Sequence, residues 1–135
     1  MRTTVAATQV RLSEIERQGK KIYFMNLEGA TTEESSKARL DFFEILKPCP
    51  PSSVLFYINA KNNNYSPQEA RAWKAGLELL NEKLLKTAIV GLSPIAKMTL
   101  MGVRAYARLL GIEKKSIQAE IFSSEDKAFD YLCQD

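Results

Sequence analysis

The sequence predicts a single α/β domain built on a mainly parallel sheet. Three observations predict it: short runs of β-branched and aromatic residues alternate with segments of helical period, two helical segments open on Ser-Pro, and 135 residues suit one hydrophobic core. An apolar fraction of 45% and a charged fraction of 26% match a chain that folds over most of its length. The expected order is β-β-α-β-α-β-α-β-α, a five-stranded sheet with one antiparallel edge strand, four helices and right-handed crossovers. No internal repeat or low-complexity linker divides residues 1–135, and residues 1–8 are expected to form a flexible N-terminal tail.

Each element has its own signal. Val10 to Ile15 alternates weakly and predicts an edge strand, with Arg17 to Lys20 as the turn into a second strand, Ile22 to Leu27, that stops at Glu28-Gly29. Thr31 and Glu34 stand at capping-box spacing, and Ala38, Phe42, Ile45 and Leu46 give the following helix an apolar face until Pro48, Pro50 and Pro51 end it. Ser53 to Asn59 is a nearly continuous apolar run, which places it at the centre of the sheet, buried on both faces. Ser66-Pro67-Gln68-Glu69 then supplies an N-cap, a first-turn proline and a capping-box glutamate, and Ala70, Trp73, Leu77, Leu80 and Leu84 continue at helical spacing.

Lys86 to Leu92 is the next expected strand, and Ser93-Pro94 repeats the helix start. From Pro94 to about Leu110, a rotation of about 100° per residue gathers Ile95, Thr99, Gly102, Val103, Tyr106, Leu109 and Leu110 on one face. Lys97, Met101, Arg104 and Arg108 fall opposite, flanked by Met98 and Leu100, and Gly111 is the C-cap. A last strand, Ile117 to Phe122, leads through Ser123-Ser124-Glu125-Asp126 into a closing helix carrying Ala128, Phe129 and Leu132.

Composition narrows the function. The chain has no histidine, which removes Ser-His and Cys-His nucleophile activation and most zinc and non-haem iron chemistry; no catalytic residue, metal or cofactor is expected. Its two cysteines, Cys49 and Cys133, form no CxxC pair and read as reduced thiols. Neither a membrane-spanning run nor an apolar leader stands in the sequence, so a cytoplasmic protein is expected. The net charge of +3 is uneven: from Lys83 to Lys115 seven basic residues face the single acid Glu113, so this stretch carries +6 and the remainder −3. The imbalance points to one basic surface.

The order of elements, with AIVGLSP ahead of the third predicted helix and IFSSEDKAFDYL at the end, resembles the SpoIIAA-like family of STAS-related domains from about Val10 to Leu132. The resemblance implies a small bacterial α/β domain similar also to lipid-exchange (CRAL-TRIO) modules, sometimes dimeric, with ligand binding and membrane association. STAS anti-sigma-factor antagonists carry a phosphorylatable serine at the start of the helix after the central strand, and the matching position is Ser66. Here the run reads Asn64-Tyr65-Ser66-Pro67, without the Asp-Ser-Ser-Gly pattern of those antagonists.

The candidate site residues each carry two readings. Ser66 and Ser93 are accounted for as N-caps, worth about 1 kcal/mol each. Both also fall at the carboxyl edge of a parallel sheet, where free helix N–H groups favour an anion, with Lys61, Asn62, Asn63 and Asn64 on the same rim. Trp73 has core spacing, yet with Tyr65 and Tyr106 it could line an apolar pocket. The stripe Lys97, Met101, Arg104 and Arg108 reads as a solvated helix face or, with Met98, as a surface facing a protein partner or an anionic lipid interface.

The expectation is a non-enzymatic binding module for an apolar or amphiphilic ligand or an anionic membrane surface, acting through the third predicted helix and the carboxyl edge. The alternative is a STAS-type protein-protein regulator with Ser66 at the phosphorylatable position. Lone Gly91 and the lack of a Walker or GxGxxG loop argue against nucleotides, and the low net charge argues against nucleic acid.

Overall fold

The computed structural model describes residues 11–63, 67–94, 98 and 120–134. The order is β1 (Leu12–Arg17), β2 (Lys20–Asn26), α1 (Thr32–Leu46), β3 (Val54–Asn59), α2 (Pro67–Ala75), α3 (Leu77–Lys83), β4 (Leu84–Val90), β5 (Glu120–Phe122) and α4 (Glu125–Cys133). The five strands form one mixed sheet in the order β1-β2-β3-β4-β5. β1 pairs antiparallel with β2, and every other neighbouring pair is parallel. The protein is thus an α/β fold with its antiparallel strand at the edge, as the alternation of strands and helices predicts.

Pairing in register sorts the side chains of the strands onto two faces. On one face Tyr23, Met25, Val54 and Phe56 pack against Ala38, Phe42 and Leu46 of α1, Trp73 of α2, and Leu77 and Leu80 of α3. On the other, Ile22, Leu55, Tyr57, Ala88 and Val90 pack against Ala128, Phe129 and Leu132 of α4. β3 is central, and its residues Val54 to Tyr57 are buried alternately in the two layers, which is why that run contains no polar break.

The start of α1 follows the predicted capping box. Thr31 Oγ1 accepts from the Glu34 amide at 3.1 Å, and Glu34 Oε1 accepts from the Thr31 amide at 2.9 Å. Arg11, beside β1, donates to the same Glu34 oxygen at 3.2 Å and so ties the sheet edge to the helix start. The Thr31 amide, with Arg11 beside it, holds the Glu34 carboxyl below its ordinary value of 4.5. A carboxyl with a depressed folded pKa stabilises the fold above its unfolded pKa and loses that contribution as the pH falls through the folded value. Thr31→Ala, which loses the hydroxyl cap and keeps the amide, is therefore expected to cost about 1 kcal/mol, whereas Glu34→Gln, which removes the titrating carboxyl, is expected to flatten the acid limb of stability below pH 4.5, both read by urea unfolding across that range.

Three predicted boundaries need correction. Arg17 and Lys20, expected in the turn, pair with each other as the end of β1 and the start of β2, which leaves only Gln18 and Gly19 between the strands. The segment with Ala70, Trp73, Leu77, Leu80 and Leu84 at helical spacing forms two helices, broken at Gly76. The Gly76 amide closes the first onto the Trp73 carbonyl at 3.0 Å, and a Cβ at Gly76 would stand 2.5 Å from the Phe43 ring of α1. Close approach of the aromatic side chain thus needs glycine there, and the glycine weakens the helix at that point. Leu84 opens β4, which runs Leu84–Val90 and stops two residues before Leu92 because Gly91 turns the chain at φ +86°. Of the predicted last strand, residues 117–119 lie outside the described residues, as do residues 1–8 and most of the helix expected from Pro94; Pro94 and Met98 are helical.

Candidate functional site

The carboxyl ends of β2, β3 and β4 lie side by side, since Asn26 pairs with Asn59 and Asn59 with Val90. An asparagine ends each of the first two strands because its short amide can brace the turn that follows. Asn26 Oδ1 accepts from the Glu28 amide at 3.1 Å and from Asn59 Nδ2 at 3.3 Å. Asn59 Nδ2 also donates to Glu28 Oε1 at 3.1 Å, and its Oδ1 accepts from the Lys61 amide at 3.1 Å. Asn63 Nδ2 donates to the Leu27 carbonyl at 2.8 Å. These amides hold the rim together, whereas the Lys61 side chain stands exposed upon it.

Gly91 brings the third strand end against this rim. With φ at +86° it occupies the left-handed region, and a Cβ there would lie 2.8 Å from the Lys61 amide nitrogen and 3.0 Å from its Cα. Backbone cannot give way as a side chain can. Gly91→Ala is accordingly expected to destabilise the fold by about 2 kcal/mol, seen as a lower urea midpoint; an unchanged midpoint would mean that the turn does not hold the rim. Beneath it Ala60, Ile89 and Leu92 form a small buried cluster with Ile58 packed against them.

The predicted site residues divide among these places. Lys61 and Ser93 follow the paired ends of β3 and β4, and the turn at Gly91 brings their segments together. Ser93 is half-buried just ahead of helical Pro94, and Met98, one turn further on, is 72% exposed. Trp73 lies in the core at 8% exposure, edge-on to Phe43 at 5.4 Å and tilted against Phe56 at 6.3 Å. Asn64, Ser66, Lys97, Met101, Arg104, Tyr106 and Arg108 lie outside the described residues.

Sequence reasoning missed an open cleft of about 490 Å³ at the opposite, amino edge of the sheet. Lys20 and Lys21 reach it from the start of β2, Cys49 and Ser53 from the proline-rich loop, Leu85 and Lys86 from the start of β4, and Gln134 from beyond α4. Lys21 Nζ stands 5.2 Å from the centre of the Tyr23 ring, and interaction with that side chain is the main cause raising the ammonium above its ordinary 10.5. Lys86 Nζ donates to the Tyr131 carbonyl at 3.0 Å and also to that of Gln134.

Elsewhere the polar side chains serve the framework. Tyr57 hydroxyl donates to Glu125 Oε2 at 3.5 Å, and burial, with the Glu125 carboxylate beside it, pushes its pKa up to about 12. The Cys49 thiol donates to the Ile45 carbonyl at 3.3 Å, and that of Cys133 to Arg17 at 3.6 Å. Among the described residues no three cysteine or carboxylate side chains gather where they could hold a metal ion, and no helix is long and apolar enough to cross a membrane. Searches of protein-family models and of curated proteins find no match to the chain.

Proposed function

We propose that the chain is a non-enzymatic binding module of the SpoIIAA-like kind, acting in the cytoplasm, that takes up an anionic amphiphile as a single molecule or as a membrane surface. The docking surface is the carboxyl rim with the segment that begins at Ser93-Pro94. Met98 supports this most: it is helical and 72% exposed in the most basic stretch of the chain. A thioether side chain exposed beside cations suits the headgroup region, where the apolar group enters and lysine or arginine meets phosphate. Lys97, Arg104 and Arg108 recur at helical spacing in the same segment and supply those cations.

Cosedimentation with neutral and with anionic phospholipid vesicles, at low and high salt, tests the proposal. Salt-sensitive binding to anionic vesicles is expected, because surface charge is screened within about 10 Å at 0.1 M salt. Protein left in the supernatant with both vesicle types, and unmoved by soluble anionic amphiphiles, removes it.

A second reading, a protein-protein regulator switched at Ser66, is favoured by the start of α2. That helix opens at Pro67, directly after Ser66 and beyond the carboxyl end of central β3. Incubation with a cognate kinase and mass spectrometry of the Ser66 peptide decides it, and an unmodified peptide counts against it.

A further inference from the structure

We propose that the amino-edge cleft is a second binding site, for a small molecule that joins a carboxylate or phosphate to an apolar tail. Its volume of about 490 Å³ falls in the range of small-molecule sites, roughly 300–1,000 Å³. Three lysines line it, Lys20, Lys21 and Lys86, and no acidic side chain does among the described residues. Glu14 approaches Lys21 at 3.8 Å, but both side chains are more than half exposed, and such a pair contributes little. Most of the remaining lining is apolar, with Ser53 and Gln134 the polar exceptions: buried Leu55 lies within the cleft and Leu85, 48% exposed, stands at its wall. A charged head and an apolar tail each find a counterpart.

The cleft is held open by the fold. The Ser52 and Ser53 amides donate to the Glu82 and Lys83 carbonyls at 2.8 and 3.0 Å, and Lys83 Nζ donates to the Cys49 carbonyl at 2.6 Å. These bonds fix the proline-rich loop as one wall. The bonds from Lys86 to the end of α4 fix the other, leaving its ammonium charge in place at the cleft. A site shaped before its ligand arrives needs little ordering on binding. The site is built from groups separate from Met98, Lys61 and the carboxyl rim, so it stands or falls independently of the membrane reading.

Cys49 lines the cleft and reports on its occupancy. The test is the rate of Cys49 alkylation by iodoacetamide, resolved by mass spectrometry, with octanoate kept below its micelle concentration, and with octanol and acetate at the same concentrations. Buried Cys133 serves as the control for unfolding. Octanoate is expected to slow Cys49 alkylation saturably while octanol and acetate leave it unchanged. Lys21→Gln, at an exposed position that leaves the anchored Lys86 intact, is expected to raise the half-saturating octanoate concentration about fivefold. Unprotected Cys49, equal protection by octanol, or undiminished octanoate protection in Lys21→Gln overturns the proposal.

Discussion

Replacing Arg39 by methionine is expected to cost the fold about 3–4 kcal/mol, because it strands a buried carboxylate. Arg39 on α1 and Glu69 on α2 are paired with side chains only 12% and 8% exposed. Arg39 Nε donates to Glu69 Oε2 at 3.1 Å and Nη2 donates to Oε1 at 3.2 Å, while Ser36 Oγ donates to Oε1 at 2.6 Å. Geometry of this quality offsets much of the desolvation of both charges. Removing the guanidinium leaves the desolvation of Glu69 and takes away its main compensation.

Removing the stranded carboxylate as well is expected to rescue the fold in part. Arg39→Met combined with Glu69→Leu removes both charges, and the double variant is expected to lie within about 1 kcal/mol of the parent. Chemical denaturation of the parent, both single variants and the double variant measures the coupling. Additive losses would mean that the two groups do not depend on each other, against the geometry of the pair.

Phe42→Ala is expected to remove about 4 kcal/mol, a large share of the roughly 5–15 kcal/mol that holds a domain of this size together. Phe42 is fully buried, stacked on Phe56 with ring centres 3.9 Å apart and edge-on to Tyr23 at 6.2 Å. With Ala38 and Leu46 it seats α1 on β2 and β3. Truncation leaves a cavity lined by side chains from β2 and β3, which the sheet backbone cannot collapse to fill. A steep drop in urea midpoint with an unchanged slope is the expected result, and a loss below about 1 kcal/mol would place the core elsewhere.

Local signals carried much of the fold. The Thr31 and Glu34 box is present atom for atom, and the serine ahead of the closing helix acts as its cap, Ser124 Oγ accepting from the Lys127 amide. The unbroken apolar run of β3 announced a strand covered on both sides. Gly76 was not legible, because α2 and α3 both turn their apolar residues to the same core and the helical spacing continues across the break. What requires glycine is the Phe43 ring, which is more than thirty residues away in sequence and reaches it only in the fold.

The same limit explains the candidate sites. The carboxyl rim could be anticipated because parallel strands place their ends together, and Lys61 and Ser93 do lie on adjacent segments. Trp73 kept the core spacing that its helical period suggested. The amino-edge cleft escaped notice because Lys20, Cys49, Leu85 and Gln134 come from four separate segments, none with a motif of its own. Their proximity is a product of topology alone.

Engagement of an anionic amphiphilic surface by the basic segment after Gly91 is read from the partition of the triple variant Lys97→Gln, Arg104→Gln, Arg108→Gln onto anionic vesicles, beside the parent protein. Each basic residue near such a surface contributes about 1 kcal/mol, so a loss of roughly two orders of magnitude in partition coefficient is expected, with the fold intact by circular dichroism. Partition equal to that of the parent would contradict it.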